Sequence, residues 1–239
     1  MVVKRFRKRA YEKKLRKGGV PDVFLKSFED ATALDVKKPI RETDFVIIDT
    51  ETTGLKPDKG DVLLSVAGLG FTKGRVDLSR SFYELMNPGR DVPAESVVVH
   101  NLTPDQLEGL PPAGEVLIRF FDFCKGAILV GHHSSFDMRF LNHALEKSFG
   151  ITMANRFLDT ALIARAIQSM EDPTKVAMEG TRYVSLDELA GRFGIGMPDR
   201  HDAYGDALVT ALIFQRQTGL LRKENILKLK DLLSMGEVR

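Results

Sequence analysis

A short apolar run, Phe45-Val46-Ile47-Ile48, breaks off abruptly into the polar segment Asp49-Thr50-Glu51-Thr52-Thr53-Gly54. Four consecutive apolar residues rich in β-branched side chains predict a buried strand that delivers polar groups at its end. Two further β-rich runs follow, Val62 to Phe71 and Val76 to Met86, closed by the turn Asn87-Pro88-Gly89. Their short, Gly-rich connections predict antiparallel neighbours. Beyond them the period lengthens. Pro111 to Cys124 predicts a helix, Ala127 to Val130 a strand, and Phe136 to Phe149 a helix with Phe136, Phe140, Leu141 and Leu145 on one face. Helices are also predicted over Leu158 to Met170, Ser185 to Phe193 and Ala203 to Thr218; Ser185 followed three residues later by Glu188 is a capping-box pattern. Weaker amphipathic stretches run from Phe24 to Leu34 and from Lys223 to Leu233. The sum is an α/β chain, a mixed sheet flanked by helices, with strands first and helices later.

With 239 residues and 43% hydrophobic content, the chain is long enough for one substantial core and too short for a second full domain. The expected organisation is an extension over 1–42, a main domain over 43–218 and a short helical tail over 219–239. No run approaches eighteen apolar residues, and the first residues lack the apolar stretch of a secretory signal. A cytoplasmic protein without a membrane span is therefore expected. The one cysteine, Cys124, lies among Val116, Leu117, Phe120 and Phe121 and reads as a buried structural thiol.

The net charge of +2 is unevenly spread: nine basic residues against Glu12 place the first 17 residues at +8, so the other 222 sum to −6. A basic arm precedes an acidic body. The arm reads as a solvated tail, or as a phosphate-binding segment that offsets the body's repulsion of nucleic acid. A membrane-surface helix is less well supported by the thin apolar stripe of Phe6, Ala10, Tyr11 and Leu15, and a transit peptide by the absence of Ser from residues 1–17.

The acids at the end of the first strand matter more. Residues two apart on a strand share a face, so Asp49 and Glu51 present two carboxylates together. Two such charges repel, and a cation held between them relieves the repulsion; ligands that are all oxygen suit Mg²⁺ or Mn²⁺ rather than zinc. Taken alone, the pair reads better as a solvated turn with N-capping acids than as a metal site. A second acid, Asp137, follows the strand Ala127 to Val130 in the first turn of the next helix, after Gly131-His132-His133-Ser134-Ser135-Phe136. A third stands in His201-Asp202-Ala203-Tyr204-Gly205-Asp206, where the histidine and Asp206 share a side only if the first residues form a loop before the helix.

Asp-Thr-Glu-Thr-Thr-Gly-Leu, His-His-Ser-Ser-Phe-Asp and His-x-Ala-x-x-Asp-Ala resemble, in order, the three exonuclease motifs of the DEDDh family, which includes the epsilon subunit of bacterial DNA polymerase III and RNase T. Asn87-Pro88, Pro93-Ala94-Glu95, Val99-His100-Asn101-Leu102-Thr103, Leu158-Asp159-Thr160 and Ser185-Leu186-Asp187-Glu188-Leu189 resemble further epsilon-type landmarks, so the likeness runs from about Asp44 to Gln217. His133 stands where the family often has Asn, and His-Asn-Leu-Thr where His-Gly-Ile-Thr is usual.

The resemblance implies a ribonuclease H-like fold and a 3′ to 5′ exonuclease acting on a nucleic acid with a free 3′ end, DNA favoured, that releases nucleoside 5′-monophosphates. It implies two Mg²⁺ or Mn²⁺ ions held by Asp49, Glu51, Asp137 and Asp206, with His201 as general base. Thr52, Thr53, Leu55, His100 and Phe136 are implied substrate contacts; for His100 a role in positioning the backbone is an equal reading. His132 is expected to bond the backbone near the second motif, His133 and His143 to lie at the surface or on a helix face, and Asp159 to cap a helix. RNA trimming of the RNase T kind and a non-catalytic, polymerase-associated binding module are the alternatives. Association with a DNA polymerase is expected in an accessory or repair capacity, because only about twenty residues follow Gln217 where epsilon-type subunits carry a polymerase-binding tail.

Overall fold

The run that opens at Phe45 forms strand β1 (Phe45–Thr52), the third strand of a six-stranded sheet in the computed structural model, which describes residues 11–16, 19–172, 174, 184–197 and 201–238. Its neighbours are β2 (Leu63–Thr72), β3 (Arg75–Leu85), β4 (Ile128–Gly131), β5 (Phe157–Asp159) and β6 (Glu237–Val238), in the order β3-β2-β1-β4-β5-β6. As the short turns predicted, β1, β2 and β3 are antiparallel; β4 and β5 run parallel to β1, and β6 is antiparallel to β5. Parallel neighbours require crossovers, and helices supply them. The helices are α1 (Asp22–Ala33), α2 (Ala94–His100), α3 (Pro104–Leu107), α4 (Ala113–Cys124), α5 (Ser135–Phe149), α6 (Thr160–Glu171), α7 (Leu186–Arg192), α8 (Ala203–Lys223) and α9 (Leu229–Gly236), of which α2 to α4 lie between β3 and β4 and α5 between β4 and β5.

The alternation of β1 sorts the helices into two layers. Val46 and Ile48 face a core with Phe24 and Phe28 of α1, Phe120 and Phe121 of α4, and Phe140 and Leu141 of α5. Phe45 and Ile47 face the other way, onto Ile163 of α6, Ala207 and Phe214 of α8 and Leu232 of α9. On that side Phe45, Phe71 and Phe214 meet with ring centroids 4.9 to 6.1 Å apart. Burying each ring is worth roughly 2–3 kcal/mol, which pins α8 across β1 and β2.

Four differences from the sequence reading have local causes. Leu158 does not begin a helix: Phe157–Asp159 pairs with β4 as β5, and α6 starts only after Asp159 caps it by accepting from the Ala161 amide at 2.8 Å. Helix α8 continues to Lys223 and stops before Asn225, whose φ of 57° is left-handed, so the predicted Lys223 to Leu233 helix is instead the end of α8 and the start of α9. Between β3 and α4, α2 and α3 occupy a segment whose helical turns are too short to show a period. The two-residue β6 is equally invisible in the sequence.

Residues before β1 are built into the α4–α5 layer. Leu15 is 3% exposed, the Tyr11 ring lies 5.3 Å from that of Phe28, and the Tyr11 hydroxyl donates to the Thr152 carbonyl. Arg16 pairs with Glu29 at 2.8 Å. A freely solvated tail is thus not what residues 11–16 form; residues 1–10 and 17–18 of the basic arm lie outside the described residues. Gly126 lets α1 sit this close, since a Cβ there would meet the Asp30 Cβ at 2.2 Å and the Ala31 nitrogen at 2.8 Å. Cys124 is fully buried, and burial pushes its thiol pKa up, as expected of a structural cysteine. Among the described residues no helix is long and apolar enough to cross a membrane.

Candidate active site

The parallel strands β1, β4 and β5 end on the same side of the sheet, the side on which open α/β sheets place their ligand crevices. At the end of β1, Asp49 pairs with Ala67 and Glu51 with Ser65, and both side chains share the face covered by α8. Asp206 stands on the first turn of α8 above them. Asp49, Glu51 and Asp206 each offer an oxygen, and the three lie within 4.8 Å of one another; Asp206 is buried and the two strand acids are partly buried. Three carboxylates brought this close in a half-desolvated position form a donor set that fits a hard divalent cation.

Local chemistry holds this arrangement. Immediately after Glu51 the β1–β2 register shifts, and the chain turns back through Thr52 and Thr53. Thr52 Oγ1 donates to the Gly54 carbonyl at 2.6 Å, Thr53 N donates to the Val62 carbonyl at 2.9 Å, and Thr53 Oγ1 accepts from the Val62 amide at 3.0 Å. A Cβ at Gly54 would lie 2.5 Å from the Asp61 carboxylate, which accepts from the Lys56 amide, so any larger residue would have to displace that carboxylate. Both threonines are buried with their hydroxyls engaged within the turn, while Leu55 projects, 71% exposed.

Asp137 is placed differently from the other three acids. It lies on the first turn of α5, in the opposite layer, and is not one of the three acids whose oxygens meet. Its partner is Thr50, the residue between Asp49 and Glu51, whose side chain points to the α5 face and donates to Asp137 Oδ1 at 2.7 Å. Asp137 is 3% exposed; burial, reinforced by the nearby Asp159 charge, pushes its pKa up to about 7. The sequence reading overlooked Thr50, although its position between two same-face acids required it to point the other way.

Asp159, at the end of β5, does more than cap α6. Beyond the Ala161 amide it accepts from the His133 amide at 3.3 Å and the Ser134 amide at 3.1 Å, fixing the loop that leads into Asp137. His132 bonds outside the segment that carries it, through Nδ1 to Thr160 Oγ1 at 2.9 Å and Nε2 to the Val184 carbonyl at 3.0 Å, rather than to the backbone around Asp137. His133 is not simply a surface residue: it is partly buried, has a φ of 54°, and its Nε2 meets the same Val184 carbonyl at 2.8 Å. Phe136 is partly buried with its ring 4.8 Å from Phe140.

His201 precedes α8 in a left-handed turn with φ 63°, exposed, its amide donating to Asp206 Oδ2 at 3.3 Å. The loop placement required for it to share a side with Asp206 is thus met. Asp202, unremarked in the sequence, is the N-cap and accepts from the Gly205 amide at 3.1 Å. His100 is 6% exposed, with Nδ1 accepting from the Leu102 amide at 3.0 Å and Nε2 without a hydrogen-bond partner among the described residues. Burial pushes its pKa down, and the nearby His201 adds to the shift, so α2 approaches the start of α8.

A family model described as Exonuclease matches residues 46–214, most of the sheet and the helices just described. The chain belongs to the exonuclease family. Among its relatives is a DNA polymerase III subunit epsilon-like protein of Rhodobacter capsulatus, 38% identical over 202 residues, which span 84% of this chain and 26% of that protein. The DNA polymerase III subunit epsilon of Rickettsia felis is 28% identical over 180 residues, 73% of each chain. Within the family the fold is shared with the solved structure of Exonuclease X in complex with 5′ overhanging duplex DNA, at 19% identity and a TM-score of 0.57 over 80% of this chain and 98% of that one. The chain thus spans about a quarter of the Rhodobacter relative's length, and its sheet is the ribonuclease H-like sheet of these exonucleases.

Proposed function

We propose that this chain is a metal-dependent 3′ to 5′ exonuclease that removes nucleotides from single-stranded DNA ends and releases nucleoside 5′-monophosphates. The observation that carries the reading is the meeting of Asp49, Glu51 and Asp206 at the carboxyl end of β1, in a chain of this family. These three acids would hold divalent cations, Mg²⁺ or Mn²⁺, two to a site, with Asp137 contributing from the facing layer. When bound, such cations activate water and neutralise charge on the phosphodiester. Asp137 supports this assignment: a buried acid with a raised pKa is one whose ionised form a nearby cation would favour.

His201, exposed beside Asp206, is assigned as the base that accepts the proton of the attacking water. The new bond joins the water oxygen to phosphorus, the bond from phosphorus to the 3′ oxygen of the preceding nucleotide breaks, and that oxygen takes a proton from solvent to leave as a 3′ hydroxyl, His201 returning its own proton to solvent. Exposed Leu55 and partly buried Phe136 would lie against the terminal bases, and His100 beside them, while Thr52 and Thr53 shape the turn that receives the 3′ end. Association with a DNA polymerase is part of the proposal, prompted by relatives named as polymerase III subunits; recovery of a polymerase catalytic subunit in a high-salt pull-down supports it, and its absence removes it.

The deciding assay incubates the protein with 3′-labelled single-stranded DNA, duplex DNA with a mismatched end, and RNA, each with Mg²⁺, Mn²⁺ or chelator. Release of labelled mononucleotide from single-stranded DNA, lost with chelator and in Asp49→Asn, is expected. Faster loss from RNA would transfer the substrate to RNA trimming, and binding without hydrolysis would leave only the non-catalytic module.

A further inference from the structure

Phe136, Phe140, His143 and Lys147 recur at the three- and four-residue spacings of a helix, so they share one face of α5. From Phe140 to Lys147 that face borders a groove of about 340 Å³, whose other walls include Val62, Pro88 and Ala113. The groove begins beside the candidate site. Phe136, its ring 4.8 Å from that of Phe140, stands on the turn of α5 that also carries Asp137, and the Val62 amide donates to Thr53 Oγ1 at 3.0 Å.

The far end of α5 leads to the basic arm. Gly150 closes the helix, and a Cβ placed there would lie 3.7 Å from Lys14 Nζ. Within the arm, Tyr11 turns onto Phe28 and Leu15 is buried, which leaves Lys14 exposed on the outer side. Lys147 is exposed as well, and among the described residues neither lysine is held in an ion pair. The acid that lines the groove, Asp61, is already engaged: it accepts from the Lys56 amide at 2.9 Å and faces Arg90 Nη1 at 3.7 Å. Glu146 precedes Lys147 but projects about 100° away around the helix.

Two unpaired cations thus extend a groove that starts at the site and ends on an arm of charge +8, while the body, at −6, repels a polyanion. From Phe136 to Gly150 the helix axis rises about 21 Å, the length of about six stacked nucleotides at ~3.4 Å each. Resting on the exonuclease reading above, we infer that Lys147 and Lys14 bind the phosphate backbone of the DNA strand about five to six nucleotides upstream of its 3′ end. The arm is then an outlying part of the substrate site, and its charge compensates locally for the acidic body. None of the three exonuclease motifs contains either lysine.

Lys14→Gln and Lys147→Gln, singly and together in the full chain, test this. Both side chains are exposed, so Tm should stay within about 2 °C of wild type. Binding is read by fluorescence anisotropy of a 5′-labelled oligothymidylate of about 20 nucleotides, in EDTA so that nothing is cut. Each substitution should flatten the slope of log affinity against log salt by about 0.7, and the double variant should bind about tenfold more weakly at about 50 mM KCl, converging on wild type near about 200 mM. An oligomer of about three nucleotides ends short of Lys147 and should show no such gap. Lys73→Gln removes the same charge from the β2–β3 turn, away from the groove, and should bind as wild type does. With Mg²⁺, KM on the long strand should rise in step with the weaker binding while kcat stays within about twofold. Wild-type salt slopes, or an equal loss on the short oligomer, would overturn the inference. Lys14 also stands where a cation complements the last carbonyls of α5; were that its whole role, Tm would fall with the slope unmoved, and the inference would fail in the same way. A wild type that shows the expected slopes but cuts no strand would sink the exonuclease reading alone.

Discussion

Thr50 donates its hydroxyl to Asp137 Oδ1 at 2.7 Å, joining the strand that bears Asp49 and Glu51 to the helix of the opposite layer. Alternation along β1 explains why one peptide segment serves both layers. Asp49 and Glu51 turn toward α8 and Asp206, and Thr50, between them, turns toward α5. The fourth acid is thus coupled to the site through the backbone of β1.

Burial makes the Asp137 proton hard to remove, and this gives the chelated protein a pH signature. The folded pKa, about 7, lies above the ordinary 3.8, so the folded state holds the proton more tightly than the unfolded state does. Stability from this group is complete below the ordinary value and is lost as pH rises through about 7. In EDTA, the Tm of Asp137→Asn is expected to rise relative to wild type between acidic and mildly alkaline pH. A difference that does not change with pH would show that the folded carboxyl titrates normally.

Asp159 serves three amides, those of His133, Ser134 and Ala161, so Asp159→Ala strands three donors at once. A loss of at least about 2 kcal/mol is expected from urea titration. Asp159→Asn, which keeps one acceptor oxygen, should lose less. Equal losses in the two variants would mean that the charge, and not the geometry, is what counts.

Gly126→Ala tests whether α1 is an integral part of the fold. The added methyl meets both the Asp30 Cβ and the backbone of Ala31, which cannot swing aside as a flexible side chain would. About 1–3 kcal/mol of destabilisation is expected in urea, with the loss reported most strongly by protection of α1 amides. Wild-type stability would show that α1 shifts freely.

His201 is exposed, so its removal should cost activity and little stability. His201→Ala is expected to lower kcat by about 10²–10⁴-fold with Mg²⁺ saturating. Because the backbone there has φ 63°, His201→Gly should be as inactive yet more stable than His201→Ala by up to about 1 kcal/mol, read by thermal unfolding. Retained turnover in either variant would remove this histidine from the reaction.

How far these features could be read from sequence depends on whether they are local. Asp49 and Glu51 were legible because a two-residue spacing at the end of a buried strand fixes their common face, and Ser185 because capping involves residues three apart, its hydroxyl accepting from the Glu188 amide at 3.2 Å. β5 was not, since three residues running straight into α6 carry no period of their own and become a strand only by pairing with β4. The shared Val184 carbonyl of His132 and His133 and the Thr50–Asp137 bond each join residues distant in the chain. No spacing rule reaches that far; the sheet register and the layer assignment had to be known first.

Cys124, the one cysteine in the chain, is sealed inside α4 with no accessible surface. A sulfhydryl introduced at a solvent-facing position such as Leu78 on β3 would have no native competitor for maleimide reagents while the protein stays folded. Dyes or tethers can accordingly be attached at a chosen point without first engineering out a thiol, which opens this molecule to single-particle fluorescence on immobilised strands.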